Sequence, residues 1–221
     1  MAISGRVEGG EEVVPHSIPW QVTILDQFGY FGNDIAGCGG TLISSKHVLT
    51  AAHCVKEDQN CARYSVGVGM HEDNITDGTR IMINHISNHP NYRYPYVHSC
   101  GVPDFDYSIL HLATPVEFNE KVIPACLPDK SMNDQFLDGK NLTVSGWGHP
   151  RPGVLHKANY PGHTNEECKT YFDESNCDKI TPNMLCAGNP YNRTASHSRG
   201  DSGGNYKKGR NVDRMKFSTI I

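Results

Sequence analysis

The hydrophobic positions of the chain fall in short runs of strand length. These runs alternate or cluster, are rich in β-branched residues, and are bounded by Gly, Pro, Asn and Asp. Because no long stretch carries a helical period, the pattern predicts an all-β protein. The predicted strands are Trp20–Leu25, Thr41–Thr50, Tyr64–Val68, Thr79–Ile86, Tyr107–Leu112, Leu142–Val144, Met184–Ala187 and Met215–Ile221.

Helical signals are few. One helix is predicted around Asn165–Tyr171, because Thr164 can cap it three residues ahead of Glu167, and a shorter one around Ala51–Val55. The proline-rich stretch Thr114–Asp134 shows little periodicity and is predicted to connect two halves. Each half then carries five or six strands, which suits a small barrel whose closure leaves no exposed strand edge.

Length and charge narrow the class of protein. A chain of 221 residues makes one large domain or two small ones. The formal net charge of −4 argues against a polyanion-binding surface, and Lys207, Lys208 and Arg210 are interpreted as a solvated hairpin. No window approaches the ~18 apolar residues of a membrane span. We therefore expect neither a nucleic-acid partner nor membrane insertion.

Cysteines and glycosylation sequons indicate an oxidising compartment. The chain has 8 cysteines, many for a reducing cytosol, and sequons at Asn74, Asn141 and Asn192. The first residues contain no apolar signal segment. We expect an extracellular, secreted protein whose signal peptide is not present in this sequence.

The segment Gly200–Gly204 carries the sharpest chemical signal. Glycines on both sides of Ser202 leave its hydroxyl uncovered and let backbone N–H groups converge, as a nucleophile with an oxyanion hole requires. A serine hydroxyl needs a general base, and the base needs a carboxylate to orient it. His53 lies among small and apolar residues, and Asp106 lies at the entrance of a predicted strand. Asp104 is a rival carboxylate, because it lies two residues earlier and is expected to share the strand face of Asp106.

With these residues the chain resembles a chymotrypsin-like, trypsin-family serine protease, in which the triad follows the order His, Asp, Ser. The resemblance implies two six-stranded antiparallel β-barrels with the active site in the cleft between them. Further matches occur in the same order at Gly9-Gly10, Pro19-Trp20-Gln21, Cys38–Ile43, His89-Pro90, Pro124–Pro128, Val144–Gly148 and Met184–Gly188.

The resemblance also implies a role for each residue of the site. His53 is the general base, Asp106 its orienting carboxylate and Ser202 the nucleophile, and the N–H groups of Gly200 and Ser202 hold the oxyanion. Asp106 is preferred over Asp104 because the residues that follow it fit the family strand. The expected reaction is peptide-bond hydrolysis through an acyl-enzyme, with no metal and no organic cofactor.

Activation and domain boundaries follow from the same resemblance. Residues 1–6 are expected to be residual propeptide, and 7–221 the protease domain. Within it, the first barrel covers about 7–114, and the connector and second barrel about 115–221. An activating protease would cut after Arg6, and the new amino group of Val7 would pair with Asp201. We expect an uncleaved, monomeric zymogen that acts on protein or peptide substrates.

The resemblance implies two disulfides, Cys38–Cys54 and Cys168–Cys186. Cys61 and Cys100 have no general family counterpart, and we expect them to pair because both fall in loops at the rim of the cleft. The pairing of the last two cysteines stays open, since eight cysteines allow 105 connectivities. These two are Cys126 and Cys177.

The base of the specificity pocket falls on Ser196, or on Ala195 or His197 if the count shifts by one, so a basic preference is not supported. The sequence stops at Ile221, before the family's last strand and C-terminal helix, so we expect an incomplete second barrel and little activity. The alternative function is a non-catalytic homologue that binds a protein. Two acidic or histidine patterns are not predicted to hold a metal: Glu72, Asp73 and Asp77, and the pair His85 and His89.

Overall fold

A computed structural model describes residues 10–27, 35–55, 60–72, 77–92, 104–127, 138–148, 153–171 and 180–188. Within these ranges the chain is built almost entirely of antiparallel strands, which confirms the all-β prediction. None of the described helices has the length and apolar character that a membrane crossing requires. The predicted strand Met215–Ile221 lies outside the described ranges.

The described strands are β1 Glu11–Glu12, β2 Gln21–Asp26, β3 Ile35–Ser44, β4 His47–Thr50, β5 Tyr64–Val68, β6 Thr79–Asn88, β7 Ser108–Leu112, β8 Asn141–Gly146, β9 His156–His163 and β10 Cys186–Ala187. Six of these strands close a barrel in the order β2-β3-β4-β7-β6-β5, as expected for the first half. The remaining strands form a second sheet with β9 at its centre, paired with β1, β8 and β10.

The barrel closes where β2 pairs with β5, and an alternation of buried and partly buried side chains is clear in β4 and β7. In β7, Ser108, Leu110 and Leu112 are buried while Ile109 and His111 are only partly buried. The inward residues of neighbouring strands meet in one apolar core. The most completely enclosed members of this core, at 0% exposure, are Leu42, Val48, Val66 and Leu110.

Gly40 marks a place where two strands approach closely. A Cβ atom built there would lie 2.9 Å from Val48 Cγ1 and 3.1 Å from the carbonyl oxygen of Leu49. Real Cβ atoms almost never come this near, so only glycine fits between β3 and β4. The glycine pair after Cys38 therefore has a packing role in the barrel.

The strand predictions need correction at β1, which was not predicted, at the run Thr41–Thr50 and at β9. The run Thr41–Thr50 is not one strand, because β3 ends at Ser44 and β4 begins at His47 after a tight turn. Strand β9 was not predicted, since it contains proline, glycine and polar residues that disfavour strands. It forms because β8 and β10 pair with it, and its side chains alternate between buried and partly exposed positions.

The two predicted helical segments are present. The α-helix α1 covers Asn165–Tyr171, and the hydroxyl oxygen of Thr164 accepts a hydrogen bond from the N–H of Glu167 at 3.2 Å. The shorter segment is a single 3-10 turn over Ala52–Cys54. A second 3-10 turn, Cys61–Arg63, precedes β5.

Buried polar contacts and a small apolar cluster join the barrel to the second sheet. The Ser145 hydroxyl on β8 donates to Gln21 Oε1 on β2 at 2.7 Å, and both side chains are buried. Trp147 Nε1 donates to the carbonyl oxygen of His71 at 3.0 Å. Because these groups have exchanged water for each other, separating the halves would leave buried polar groups without partners. The cluster consists of Val13, Met70, Trp147 and Leu155.

We predict that Leu110→Ala lowers the free energy of unfolding by about 2–5 kcal/mol, because it opens a cavity in the barrel core. Its neighbour in β7, Ile109, is only partly buried, so Ile109→Ala should cost roughly half as much or less. Guanidinium chloride unfolding of both variants, with disulfides intact, checks this. Equal losses for the two variants would contradict the inward orientation of Leu110.

Candidate active site

The register of two neighbouring strands brings His53 and Asp106 together. Strands β4 and β7 are antiparallel, and Thr50 at the end of β4 pairs with Ser108 at the start of β7. The chain that leaves β4 and the chain that enters β7 therefore lie at the same end of the barrel. His53 lies on the 3-10 turn just after Thr50, and Asp106 lies just before Ser108.

Asp106 contacts His53 with both carboxylate oxygens. Its Oδ2 lies 2.8 Å from His53 Nδ1, and its Oδ1 accepts the backbone N–H of His53 at 2.9 Å. The Asp106 side chain is 0% exposed and that of His53 is 15% exposed. A buried carboxylate can only accept hydrogen bonds, so it favours the tautomer with hydrogen on Nδ1. Nε2 then carries the lone pair that a general base needs.

The peptide around His53 is held to β3 on both sides. The predicted disulfide Cys38–Cys54 is formed, with its Cα atoms 6.1 Å apart, and the Thr50 hydroxyl donates to the carbonyl oxygen of Gly39 at 2.8 Å. Sulfur atoms of this bridge lie close to the His53 ring, with Cys54 Sγ 3.7 Å from Nε2. These sulfurs are not thiolates, so the group does not offer the ligand set that a metal requires.

Asp104 faces a different part of the molecule from Asp106. Its Oδ1 accepts from the Thr181 hydroxyl at 2.8 Å, and the Asn183 amide lies 3.3 Å from Oδ2. The expectation that Asp104 and Asp106 share a strand face is wrong, because β7 begins only at Ser108. Phe105 between them has a φ of 51°, a left-handed conformation that breaks strand alternation.

Tyr107 ties this turn to the second half of the molecule, a contact that the sequence analysis missed. Its hydroxyl donates to the carbonyl oxygen of Asn183. Burial, together with the negative charges of Asp104 and Asp106, raises the pKa of Tyr107 to about 12. The sequence gives no signal for this contact, because Tyr107 and Asn183 are 76 residues apart and only the folded chain brings them together.

The second predicted disulfide, Cys168–Cys186, joins helix α1 to β10, with Cα atoms 6.4 Å apart. The expected bridge between Cys61 and Cys100 is not formed. Cys61 is a free thiol whose sulfur donates to the carbonyl oxygen of Asn84 at 3.2 Å, and Cys100 lies outside the described residues. Cys126, left open by the sequence, is a free and exposed cysteine, and Cys177 falls outside the described part.

The other site predictions fall on residues that the structure does not describe, so no geometry is given for them. They are Arg6 and Val7 at the activation bond, Ser196 at the pocket base, and Gly200, Asp201 and Ser202 in the nucleophile loop. Of the predicted triad, the described residues bring together the histidine and the carboxylate.

The Asp77 carboxylate accepts hydrogen bonds from backbone N–H groups of the same loop. Its Oδ2 accepts the backbone N–H groups of His71 at 2.6 Å and Glu72 at 2.8 Å. Burial would raise the pKa of Asp77, but these two donors and the neighbouring histidines outweigh that and lower it. His85 is in β6 and His89 is beyond its end, where the His89 ring stacks on Phe105, so this pair shares no helix face.

A closed six-stranded antiparallel barrel joined to a second antiparallel sheet, with very few helices, is the architecture of chymotrypsin-like proteins. A protein-family model described as Trypsin matches residues 7–212. Transmembrane protease serine 9 of Rattus norvegicus is 32% identical over 209 residues, or 91% of this chain. The chain spans only 18% of that relative's length. It belongs to the trypsin family of serine proteases.

We predict that one tyrosine, Tyr107, ionises near pH 12 in the folded protein. The unfolded chain releases its tyrosine protons near pH 10, so between these values the folded state binds one more proton. The free energy of unfolding should therefore fall as pH rises from about 10 to 12. An absorbance titration near 295 nm checks this, and Tyr107→Phe should remove the late component.

The matched control is the same titration in denaturant, where all 10 tyrosines should ionise together. A late component that persists in Tyr107→Phe would assign the raised pKa to another tyrosine.

Proposed function

We propose that this chain is the catalytic domain of a secreted serine endopeptidase that cleaves protein or peptide substrates with His53, Asp106 and Ser202. One observation carries the proposal: the buried Asp106 carboxylate holds both the ring and the backbone N–H of His53, at 2.8 and 2.9 Å. A histidine fixed in this way presents Nε2 as a base. Family membership supplies the reaction class and the order of the triad along the chain.

In the proposed first step, Ser202 Oγ attacks the carbonyl carbon of the scissile bond while His53 Nε2 takes the hydroxyl proton. Asp106 stays ionised and stabilises the imidazolium that forms. The N–H groups of Gly200 and Ser202 bind the developing oxyanion. The C–N bond then breaks as His53 returns the proton to the leaving amine, and the acyl group remains on Ser202.

The second step reverses these roles with water as the nucleophile. His53 Nε2 takes a proton from water as its oxygen attacks the acyl carbon, and the oxyanion is held as before. Collapse of this intermediate returns the proton to Ser202 Oγ and releases the carboxylic acid product. All proton transfers pass through one imidazole, so the contact between His53 and Asp106 serves both halves of the reaction.

We propose that the chain with an intact Arg6–Val7 bond is a zymogen. Cleavage after Arg6 would give Val7 a free α-amino group, and this cation would pair with Asp201 beside the nucleophile. A charge-assisted pair of this kind can order a loop, because separating it again would leave a buried charge alone. The activating enzyme is then a protease that accepts arginine before the cut bond.

An extracellular site of action is consistent with the cysteine chemistry. The disulfides Cys38–Cys54 and Cys168–Cys186 persist in oxidising compartments and are rare in the cytosol. The first of these bridges lies against His53, so reduction would loosen the active-site turn itself.

We predict that Asp106→Asn, in the cleaved protein extended at its C-terminus by the family's last strand and helix, lowers kcat/KM about 10⁴-fold, because the amide favours the wrong histidine tautomer. The matched control is Asp104→Asn, which removes a charge two residues away without touching His53. It should change kcat/KM by less than about tenfold. Initial rates on a peptide amide substrate check both variants, and equal losses would contradict the assignment of Asp106.

We further predict that, in a form extended at its C-terminus by the family's last strand and helix, a fluorophosphonate probe labels Ser202 only after cleavage at Arg6. The uncleaved form and the Ser202→Ala variant should remain unlabelled, as should an Arg6→Gln variant that resists cleavage. Gel fluorescence and peptide mapping identify the labelled residue. A cleaved, extended protein that does not label would contradict the catalytic proposal and favour the non-catalytic, protein-binding alternative.

A further inference from the structure

Three histidines form a row across adjacent strands on the outer face of the barrel. His47 of β4 pairs directly with His111 of β7, and His111 also pairs with His85 of β6. Their neighbours in sequence, Val48, Leu110 and Ile86, are buried in the core. The histidine side chains therefore point away from the core, where His85 is exposed and the other two are partly buried.

A β-bulge brings His85 into this row. The pairing of β6 with β7 shifts register between Ile83 and His85, so Asn84 is the extra residue. Ile83 and Ile86 are both buried, whereas Asn84 and His85 between them are both exposed. Strict alternation would have turned His85 inward beside Ile83, and the bulge turns it outward to face His111.

The spacing of the rings matches that of imidazoles that share a metal ion. The ring centre of His111 lies 5.0 Å from that of His47 and 5.0 Å from that of His85. Two imidazoles bound to one tetrahedral zinc, with Zn–N of about 2.0–2.1 Å, hold their ring centres about 5 Å apart. His47 and His85 lie on opposite sides of His111, so the three donor nitrogens are not yet close together, and both outer rings must rotate toward His111 before they can share one ion with it.

Two of the three rings each have one nitrogen within hydrogen-bond distance of a serine hydroxyl. Ser44 Oγ lies 2.7 Å from His47 Nδ1, and Ser87 Oγ lies 3.0 Å from His111 Nε2. With those nitrogens protonated and donating to serine, His47 Nε2 and His111 Nδ1 carry the lone pairs. Metal-binding histidines are oriented by such a partner on the opposite ring nitrogen.

The local electrostatics also suit a neutral ligand. Burial, with repulsion from His47 and His85, lowers the pKa of His111. A lowered pKa favours the neutral form of the imidazole, which is the form that binds a metal ion.

We propose that His47, His85 and His111 form a binding site for Zn²⁺ on the outer face of the first barrel. Three imidazoles suit this borderline ion better than Mg²⁺ or Ca²⁺, which prefer oxygen ligands. Water would complete the tetrahedron. The bound ion would link β6, β7 and β4, and the latter two strands lead to Asp106 and His53.

The test is a titration of the 221-residue chain, disulfides intact, with ZnCl₂ at pH 7.5. Isothermal calorimetry gives the affinity, and long-range ¹H–¹⁵N spectra of histidine-labelled protein identify the rings that bind. We expect the ring nitrogens of His47, His85 and His111 to shift together with one equivalent of Zn²⁺. His85→Ala and His111→Ala should each raise Kd at least about tenfold.

Met82→Ala is the matched control, because Met82 is an exposed residue of the same strand and carries no imidazole. It should leave Kd within about twofold, and MgCl₂ should move none of the three rings. The proposal fails if Zn²⁺ does not bind, or if binding shifts other histidines only. It also fails if His85→Ala, whose side chain is exposed and whose loss should leave the fold intact, binds Zn²⁺ as the parent does.

Discussion

The candidate site depends on the antiparallel register between β4 and β7. Once Thr50 lies opposite Ser108, the two chain segments that carry His53 and Asp106 meet at one end of the barrel. His53 lies on a single 3-10 turn and Asp106 lies in the chain just before β7, so the positions of the two strands determine where each of these short segments begins. A slip of one residue would turn every inward side chain of β7 outward and expose Leu110. The barrel core therefore holds the geometry of the proposed catalytic pair, His53 and Asp106.

Because Asp106 is buried, its carboxylate needs hydrogen-bond donors around it. A carboxylate removed from water is costly unless donors surround it, and His53 supplies two of them. The turn before it is fixed separately, since Asp104 and Tyr107 contact Thr181 and Asn183 near β10. Both halves of the molecule thus contribute to the position of one carboxylate. These contacts hold the proposed active site in place only while the two halves of the molecule stay together.

Strands β4 and β7 contribute both to the proposed active site and to the proposed metal site. The inner faces of β4 and β7 pack the core, the proposed catalytic pair lies at one end of these strands, and their outer faces carry His47 and His111. On β6 a single extra residue adds a third histidine to that outer row. A local irregularity of the sheet can thus assemble a ligand set that no strand contains alone, since cross-strand neighbours are distant in sequence.

The sequence by itself predicted the strand class and the positions of β5 and α1, through side-chain alternation and capping chemistry that act over a few residues. Its resemblance to the trypsin family implied the two disulfides that form and pointed to His53 and Asp106. Tertiary structure decided the rest. Strand β9 exists because its neighbours pair with it, and the free thiol of Cys61 contacts the Asn84 carbonyl, 23 residues further along the chain. The left-handed turn at Phe105 and the histidine row likewise depend on contacts between residues far apart in sequence. Local patterns cannot encode those contacts, because register and bulges are set only when the whole barrel closes.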